Sequence, residues 1–364
     1  MRSNSRLASR APRRLAALTL ALVLAPASLT AARAPLAPLP VWPSPPDPAR
    51  IRYVGQLTGP RDFATGLWKR LGDFAAGSGS HGDLAKPTAI AVSSDGHRVF
   101  VLDGVRLAVL RFDLAAKRVT TIPLAALPNG PTVPFGLALD ADEALYVTDQ
   151  AGHCVVVVSG GRVARQIGRE QLTRPVGCAV DAVRRLLYVV DSPSGRESQH
   201  RVAVFDLGGR FMRWMGGRGS EPGRFNYPTY IAVTPAGEVY VVDTLNWRVQ
   251  VFAADGSFVR AFGRHSDARG DFDRPKGVAF DRFGNVYIAD SSWDRVLVFS
   301  RWGRPLLDFA GRGTWPGGLQ EPTAVATGPD DRIYVADTNG HRVNIYQLVN
   351  TTAADTVSAG GGGR

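Results

Sequence analysis

The chain has 364 residues, 45% of them apolar and 21% charged, a globular composition that excludes a disordered, collagen-like or coiled-coil protein. Forty Gly and 25 Pro beside 9% aromatics favour many short strands joined by tight turns over a helical bundle. A formal charge of +11 invites a nucleic-acid reading, but six of the 43 basic residues and none of the 32 acidic ones fall within residues 1–34, so the remainder lies much closer to neutrality.

Arg2, Arg6, Arg10, Arg13 and Arg14 precede an apolar run, Leu15 to Leu24, that is too short to span a bilayer, and small residues follow it. Residues 1–34 therefore read as a signal peptide, cut after Ala34 or Ala27, with a retained membrane anchor as the alternative. No Cys adjoins the segment, which argues against a lipoprotein. The mature chain is expected to be extracytoplasmic, periplasmic or secreted, with no transmembrane segment left. Residues 35–50 form a Pro-rich linker expected to be extended. Ile51 to Leu57 alternates apolar and polar as a half-buried strand does. Phe63, Leu67, Trp68, Leu71 and Phe74 recur at helical spacing, predicting a short helix over residues 63–75. That helix packs on the body of the protein or, with Lys69 and Arg70 beside its stripe, meets a partner or a membrane surface.

From Pro87 onward the chain repeats itself. Six segments, Pro87 to Asp103, Pro134 to Asp149, Pro175 to Asp191, Pro228 to Asp243, Pro275 to Asp290 and Pro322 to Asp337, share one order: a Pro, a small-apolar run, a turn, an aromatic and an Asp three residues after it. The period of the Asp series is that of a propeller blade. In four units an Arg then opens a further alternating strand, at Arg201, Arg248, Arg295 and Arg342, and runs such as Phe211 to Gly216 and Phe258 to Gly263 supply a fourth. The sixth unit lacks its fourth strand, because residues 349–364 are too polar and Gly-rich to pair and are expected to be a disordered tail. Ile51 to Leu57 is the spare strand, and pairing it beside Val343 to Tyr346 would close the ring and remove both free edges. The fold class is thus all-β, a six-bladed propeller of four-stranded blades over residues 51–348.

Pro-Lys-Gly-Val-Ala at 275–279, Tyr-Val-Val-Asp at 240–243 and Arg-Val-Gln-Val-Phe at 248–252 together resemble the NHL repeat. The resemblance spans residues 51 to 348. It is most specific in the last three units and departs from the pattern in three places: a short first unit around Val105, an insertion after Asp191, and Cys154 in place of Arg. It implies a six-bladed propeller that binds partners. Related propellers include amidating lyases and lactonases with an axial metal, and TRIM-NHL proteins that bind RNA. The residues following each repeat Pro here are Thr88, Phe135, Val176, Thr229, Lys276 and Thr323, of which only a cation is ionisable. No metal and no cofactor are therefore expected, and a lyase-like or lactonase-like enzyme remains the alternative reading.

A role that recurs in every unit is architectural, so Asp103, Asp149, Asp191, Asp243, Asp290 and Asp337, with Arg201, Arg248, Arg295 and Arg342, are assigned to structure. His153, His200 and His341 share one repeat position on three separate units, too dispersed for one metal. Cys154 and Cys178 either form a single bridge or stand as two buried thiols. Above this background stand four Gly-Arg pairs after the fourth strands, ending in Arg169, Arg218, Arg264 and Arg312, on the face that also gains Arg174, Arg274, Lys276, Tyr230, Trp247 and Trp293. Arginine with aromatics is the chemistry of recognition surfaces. The expectation is an exported, monomeric, non-enzymatic scaffold that recognises a protein or an anionic polymer there; export argues against a nucleic-acid partner.

Overall fold

Short runs of β-branched and aromatic residues between Gly, Asp and Asn turns dictate strands. The structure is a computed structural model and describes residues 38–63, 83–195, 198–268 and 270–350. The chain divides into a unit of residues 1–38 and a second of residues 39–364, and the fold is that of the second. It holds five four-stranded sheets and one five-stranded sheet, all antiparallel, arranged as a six-bladed β-propeller. Blade one consists of Pro87–Val92, Arg98–Asp103, Ala108–Asp113 and Arg118–Pro123, and the later blades repeat this plan from Pro134, Pro175, Pro228, Pro275 and Pro322.

The strand beginning at each repeat Pro is innermost and packs against the equivalent strands on both sides, which explains the small residues there. A Cβ on Gly136 would lie 2.3 Å from the Val176 carbonyl oxygen, and one on Gly177 would lie 2.5 Å from that of Thr229. Glycine is needed at these points because neighbouring inner strands touch backbone to backbone. Hydroxyls stitch the same seam: Thr148 Oγ1 donates to Val176 O at 2.6 Å, Thr244 Oγ1 to Pro275 O at 2.9 Å and Thr338 Oγ1 to Pro87 O at 2.8 Å. The last of these joins blade six to blade one. The alternating Val, Ile and Leu of the second and third strands fill the slabs between blades, together with the wholly buried Tyr146, Tyr188, Tyr240, Tyr287 and Tyr334.

Ile51–Leu57 pairs along its length with Arg342–Leu348, from Ile51 opposite Leu348 to Leu57 opposite Val343, and so completes blade six. The segment read as a plain linker contains a further strand. Val41–Trp42 adds outside Ile51–Leu57, and the Trp42 ring sits 5.7 Å from Tyr346 and 5.9 Å from Phe309. Burial of one indole against the fifth and sixth blades holds this stretch in place despite its prolines. The segments expected to be a signal peptide and a disordered tail, and nearly all of the helix expected over residues 63–75, lie outside the described residues. Phe63 itself ends a short 3-10 turn, Pro60–Phe63. Among the described residues no helix is long and apolar enough to cross a membrane.

Cys154 and Cys178 are both free and buried, and burial pushes the Cys178 thiol up to about 12. A thiol reagent at pH 8 should therefore find neither cysteine in the native protein and both after unfolding in guanidinium; fast labelling of the native chain would contradict this placement. Deleting Ile51–Leu57 should expose the edge of the last blade and cause aggregation. A deletion variant that stays soluble and melts like the intact chain would overturn the closure.

Candidate functional site

In blade three Pro175, Asp191, Arg201 and Gly216 stand opposite one another across the four strands. In blade five Pro275, Asp290, Arg295 and Ala310 do the same. One face of the propeller therefore gathers the starts of the inner strands, the repeat Asp residues, the repeat Arg residues and the crossings between blades.

The repeat carboxylates are buried at this face and accept backbone N–H groups from the segment just before the Pro of the same blade: both preceding residues in blades one, two, three and five, and the second residue before the Pro in blades four and six, where Tyr227 N goes to His200 and Glu321 N to Asp294. Asp191 Oδ1 accepts from Thr173 N and Arg174 N at 2.9 and 2.7 Å, and Asp290 Oδ2 from Asp273 N at 2.8 Å. Asp103 clasps Ala85 N at 2.6 Å and Asp149 clasps Thr132 N at 3.0 Å. Asp243 accepts from Asn226 N at 2.6 Å, and Asp337 from Gln320 N at 2.5 Å. Burial raises the carboxyls of Asp191, Asp243 and Asp337, against the lowering effect of these donors. Arg248 Nε and Arg342 Nε each reach their Asp at 2.9 Å, while Arg201 Nε stands 3.7 Å from Asp191 and stacks on Trp214.

The residue before the third strand staples each blade to the next. His153, Trp247, Asp294 and His341 all hold φ near +50°, a left-handed turn position. His153 donates from Nδ1 to Thr173 O at 2.5 Å, and His341 does the same to Ala85 O. Buried His200 donates from Nε2 to Pro193 O and accepts from Tyr227 N at 3.1 Å, with its pKa lowered by burial. The three histidines thus serve inter-blade backbone bonds. Among the described residues no group of three or more His, Cys, Asp or Glu is placed to hold a metal ion.

The four Gly-Arg arginines are exposed on this face, with different partners. Arg169 donates to Gln166 Oε1 at 2.7 Å, Arg218 to Ser198 Oγ at 3.3 Å and to Gly195 O, Arg264 to Asp271 at 2.9 Å and Arg312 to Asp294 at 2.6 Å. They are not four equivalent positions. Parallel bridges join Arg218 to Phe225, His265 to Phe272 and Arg312 to Leu319, so His265 occupies the repeat position read as Arg264's. The even spacing of Arg218, His265 and Arg312 was the available sequence signal, and the adjacent arginine masked it. His265 lies under Trp247, with ring centroids 4.8 Å apart, and faces Asp273 at 3.4 Å.

Tyr230 also needs correction. It is 9% exposed, donates its hydroxyl to Thr88 O across the ring and packs 5.9 Å from the Phe135 ring, so it fills the axis rather than presenting to solvent. Inner-strand crowding makes any large side chain at that position turn inward. Beside it Lys276 Nζ bonds Glu321 at 3.3 Å, and burial lowers its pKa against that partner. Arg174 donates to Ser192 O at 3.2 Å, and Arg274 is exposed.

Blade five departs furthest from the repeat's rule for the arginine; in blade three Arg201 Nε also lacks a hydrogen-bond partner, but Nη2 reaches Gln171 O at 3.4 Å. In blade four Arg248 bonds Asp243 through Nε and Glu221 O and Arg224 O through Nη2, and in blade six Arg342 bonds Asp337 through Nε and Gly318 O through Nη2. Arg295 instead leans to Asp308 at 3.3 Å and stacks 3.9 Å above Trp293, leaving its buried Nε and Nη2 without an acceptor. These groups wall a cavity of about 460 Å³ with Arg312, Ser292 and Asp267. Leu297 contributes: it stands where Gln250 and Asn344 bond the preceding crossing in the flanking blades.

The clasp makes a measurable claim. Asp243→Ala leaves Arg248, Asn246 and Asn226 N without their acceptor, so urea denaturation should show a loss of about 3 kcal/mol. Exposed Asp142→Ala should stay within about 0.5 kcal/mol of the parent.

The NHL repeat family model matches residues 225–252 and 319–346. A structural genomics protein of unknown function from Bacteroides thetaiotaomicron VPI-5482 superposes with a TM-score of 0.54 at 18% identity, over 74% of this chain and 71% of that one. Virginiamycin B lyase from Staphylococcus aureus gives 0.52 at 12% identity, over 73% and 81%, and Kuenenia stuttgartiensis hydrazine synthase 0.53 at 16%, over 76% and 100%. At such identities these likenesses concern the fold alone. With the matched repeats and the six blades, this chain is a six-bladed β-propeller that carries NHL repeats.

Proposed function

We propose that this protein is an exported, non-enzymatic binding propeller that recognises a protein or an anionic polymer through the crossing face of blades four to six. The observation that carries the reading is the blade-five cavity, where the buried Nε and Nη2 of Arg295 are unpaired while the same two nitrogens of Arg248 and Arg342 are bonded within their own chain. A buried donor without an acceptor is costly, and an incoming carboxylate or carbonyl removes that cost. Trp293 supplies the apolar wall, and Trp247 with His265 extends the aromatic surface along the same crossing. Export is supported by the arginine cluster and the short apolar run at the N-terminus.

The test is capture of partners from the native cell envelope, with retention on immobilised polyglutamate as the polymer arm. Trp293→Ala should weaken binding by about 30-fold and Arg312→Gln by about tenfold, each with the chain still folded by circular dichroism. Retention should also fall between 0.05 and 0.5 M salt, as the screening length drops below about 10 Å. Equal capture by the parent and both variants would reject the face. Fractionation with mass spectrometry of the mature N-terminus tests export, and an uncleaved cytosolic chain would reject it.

A further inference from the structure

We propose that the cavity between blades two and three is a separate binding site for a small carboxylate carrying a short apolar body. Its volume is about 380 Å³, within the range of small-ligand sites, and its walls include Val133, Gln150, Ala151, His153, Arg174 and Pro193. Among the described residues no carboxylate lines it.

The polar groups on its wall are donors with little to donate to. Gln150 Nε2 is buried and has no hydrogen-bond partner. The Arg174 guanidinium has a single acceptor, Ser192 O at 3.2 Å, and no carboxylate in ion-pair reach among the described residues. Arg264 and Arg312 on the other side of the ring differ in this, being paired with Asp271 and Asp294. Arg169, whose charge is felt at neighbouring Cys154, is likewise bonded only to Gln166. Neither guanidinium is paired with a carboxylate among the described residues.

The backbone fixes the two donors. Gln150 is held by its N–H on Val133 O at 3.0 Å, and Arg174 by its N–H on the Asp191 clasp at 2.7 Å. His153 spends Nδ1 on Thr173 O and so ties the blade-two wall to the blade-three wall. The Arg174 guanidinium fork on the wall suits the two oxygens of a carboxylate, which accept paired donors in one plane, and the unpartnered Gln150 amide N–H lies buried behind the same wall. Val133, which is 46% exposed, Ala151 and Pro193 offer apolar surface to the body of such a ligand. Nothing in this assignment requires the macromolecular surface around Trp293.

Calorimetric titration of the full-length chain with phenylacetate, and with phenylacetamide as its uncharged isostere, tests the site. One equivalent of phenylacetate should bind, at least about tenfold more tightly than the amide. Arg174→Met should erase that preference, Arg174→Lys should cost about tenfold because charge remains while the fork is lost, and Gln150→Glu should abolish binding of the acid. Arg312→Met and Trp293→Ala, in the other cavity, should leave phenylacetate affinity unchanged, so failure of this site and failure of the recognition face are read separately. The proposal is overturned by equal binding of acid and amide, by no binding up to about 10 mM, or by parent-like affinity in both Arg174 variants.

Discussion

The buried aspartate at the end of each second strand is the constraint on which the rest of the molecule hangs. Taking a carboxylate out of water is tolerable only where fixed donors replace the hydration shell. Here the backbone of the segment leading into the same blade supplies them, as Thr173 and Arg174 do for Asp191. Each clasp holds the crossing from the previous blade against the start of the inner strand, which sets where the next blade begins. Six such clasps, with the hydroxyl stitches of Thr148, Thr244 and Thr338, turn a series of local sheets into a ring.

Because the clasp is repeated, departures from it mark where the chain does something else. The arginine beside the clasp belongs to the scaffold where its Nε and Nη2 are bonded within the chain, as in blades four and six, and becomes available chemistry where they are not, as in blade five. The cause lies one strand position away. Leu297 replaces an amide that would bind the crossing, and Asp308 on the outer strand draws Arg295 aside. In blade two the arginine is absent altogether, and Cys154 takes its place at zero exposure.

Ring closure is the second requirement. A propeller of this size has no free inner edge, but its first and last blades must be joined by chain from the other end. Ile51–Leu57 does this with side chains that alternate into the blade-six slab, and Val41–Trp42 adds an aromatic cover at the outer edge. The two ends of the domain thus meet within one sheet, which leaves the last blade no open edge at this seam.

By itself the sequence determined the number of blades, the order of strands within each, the closing strand and the architectural role of the aspartates. All of these follow from periodic residue types, and pairing between chain neighbours is enough to express them. It also brought Arg218, Arg312, Trp247 and Trp293 to one face, because strand direction alone decides which turns lie together. Only the tertiary structure decided that Tyr230 points into the axis, that His265 rather than Arg264 occupies the repeat position, and that Arg295 is left unsatisfied. Each of these depends on the space between blades, where inner strands crowd a large side chain inward and a crossing of different residues shifts the register by one. That space is shaped by partners some 40 or more residues away, roughly one blade period, so the repeat pattern itself carries no record of it.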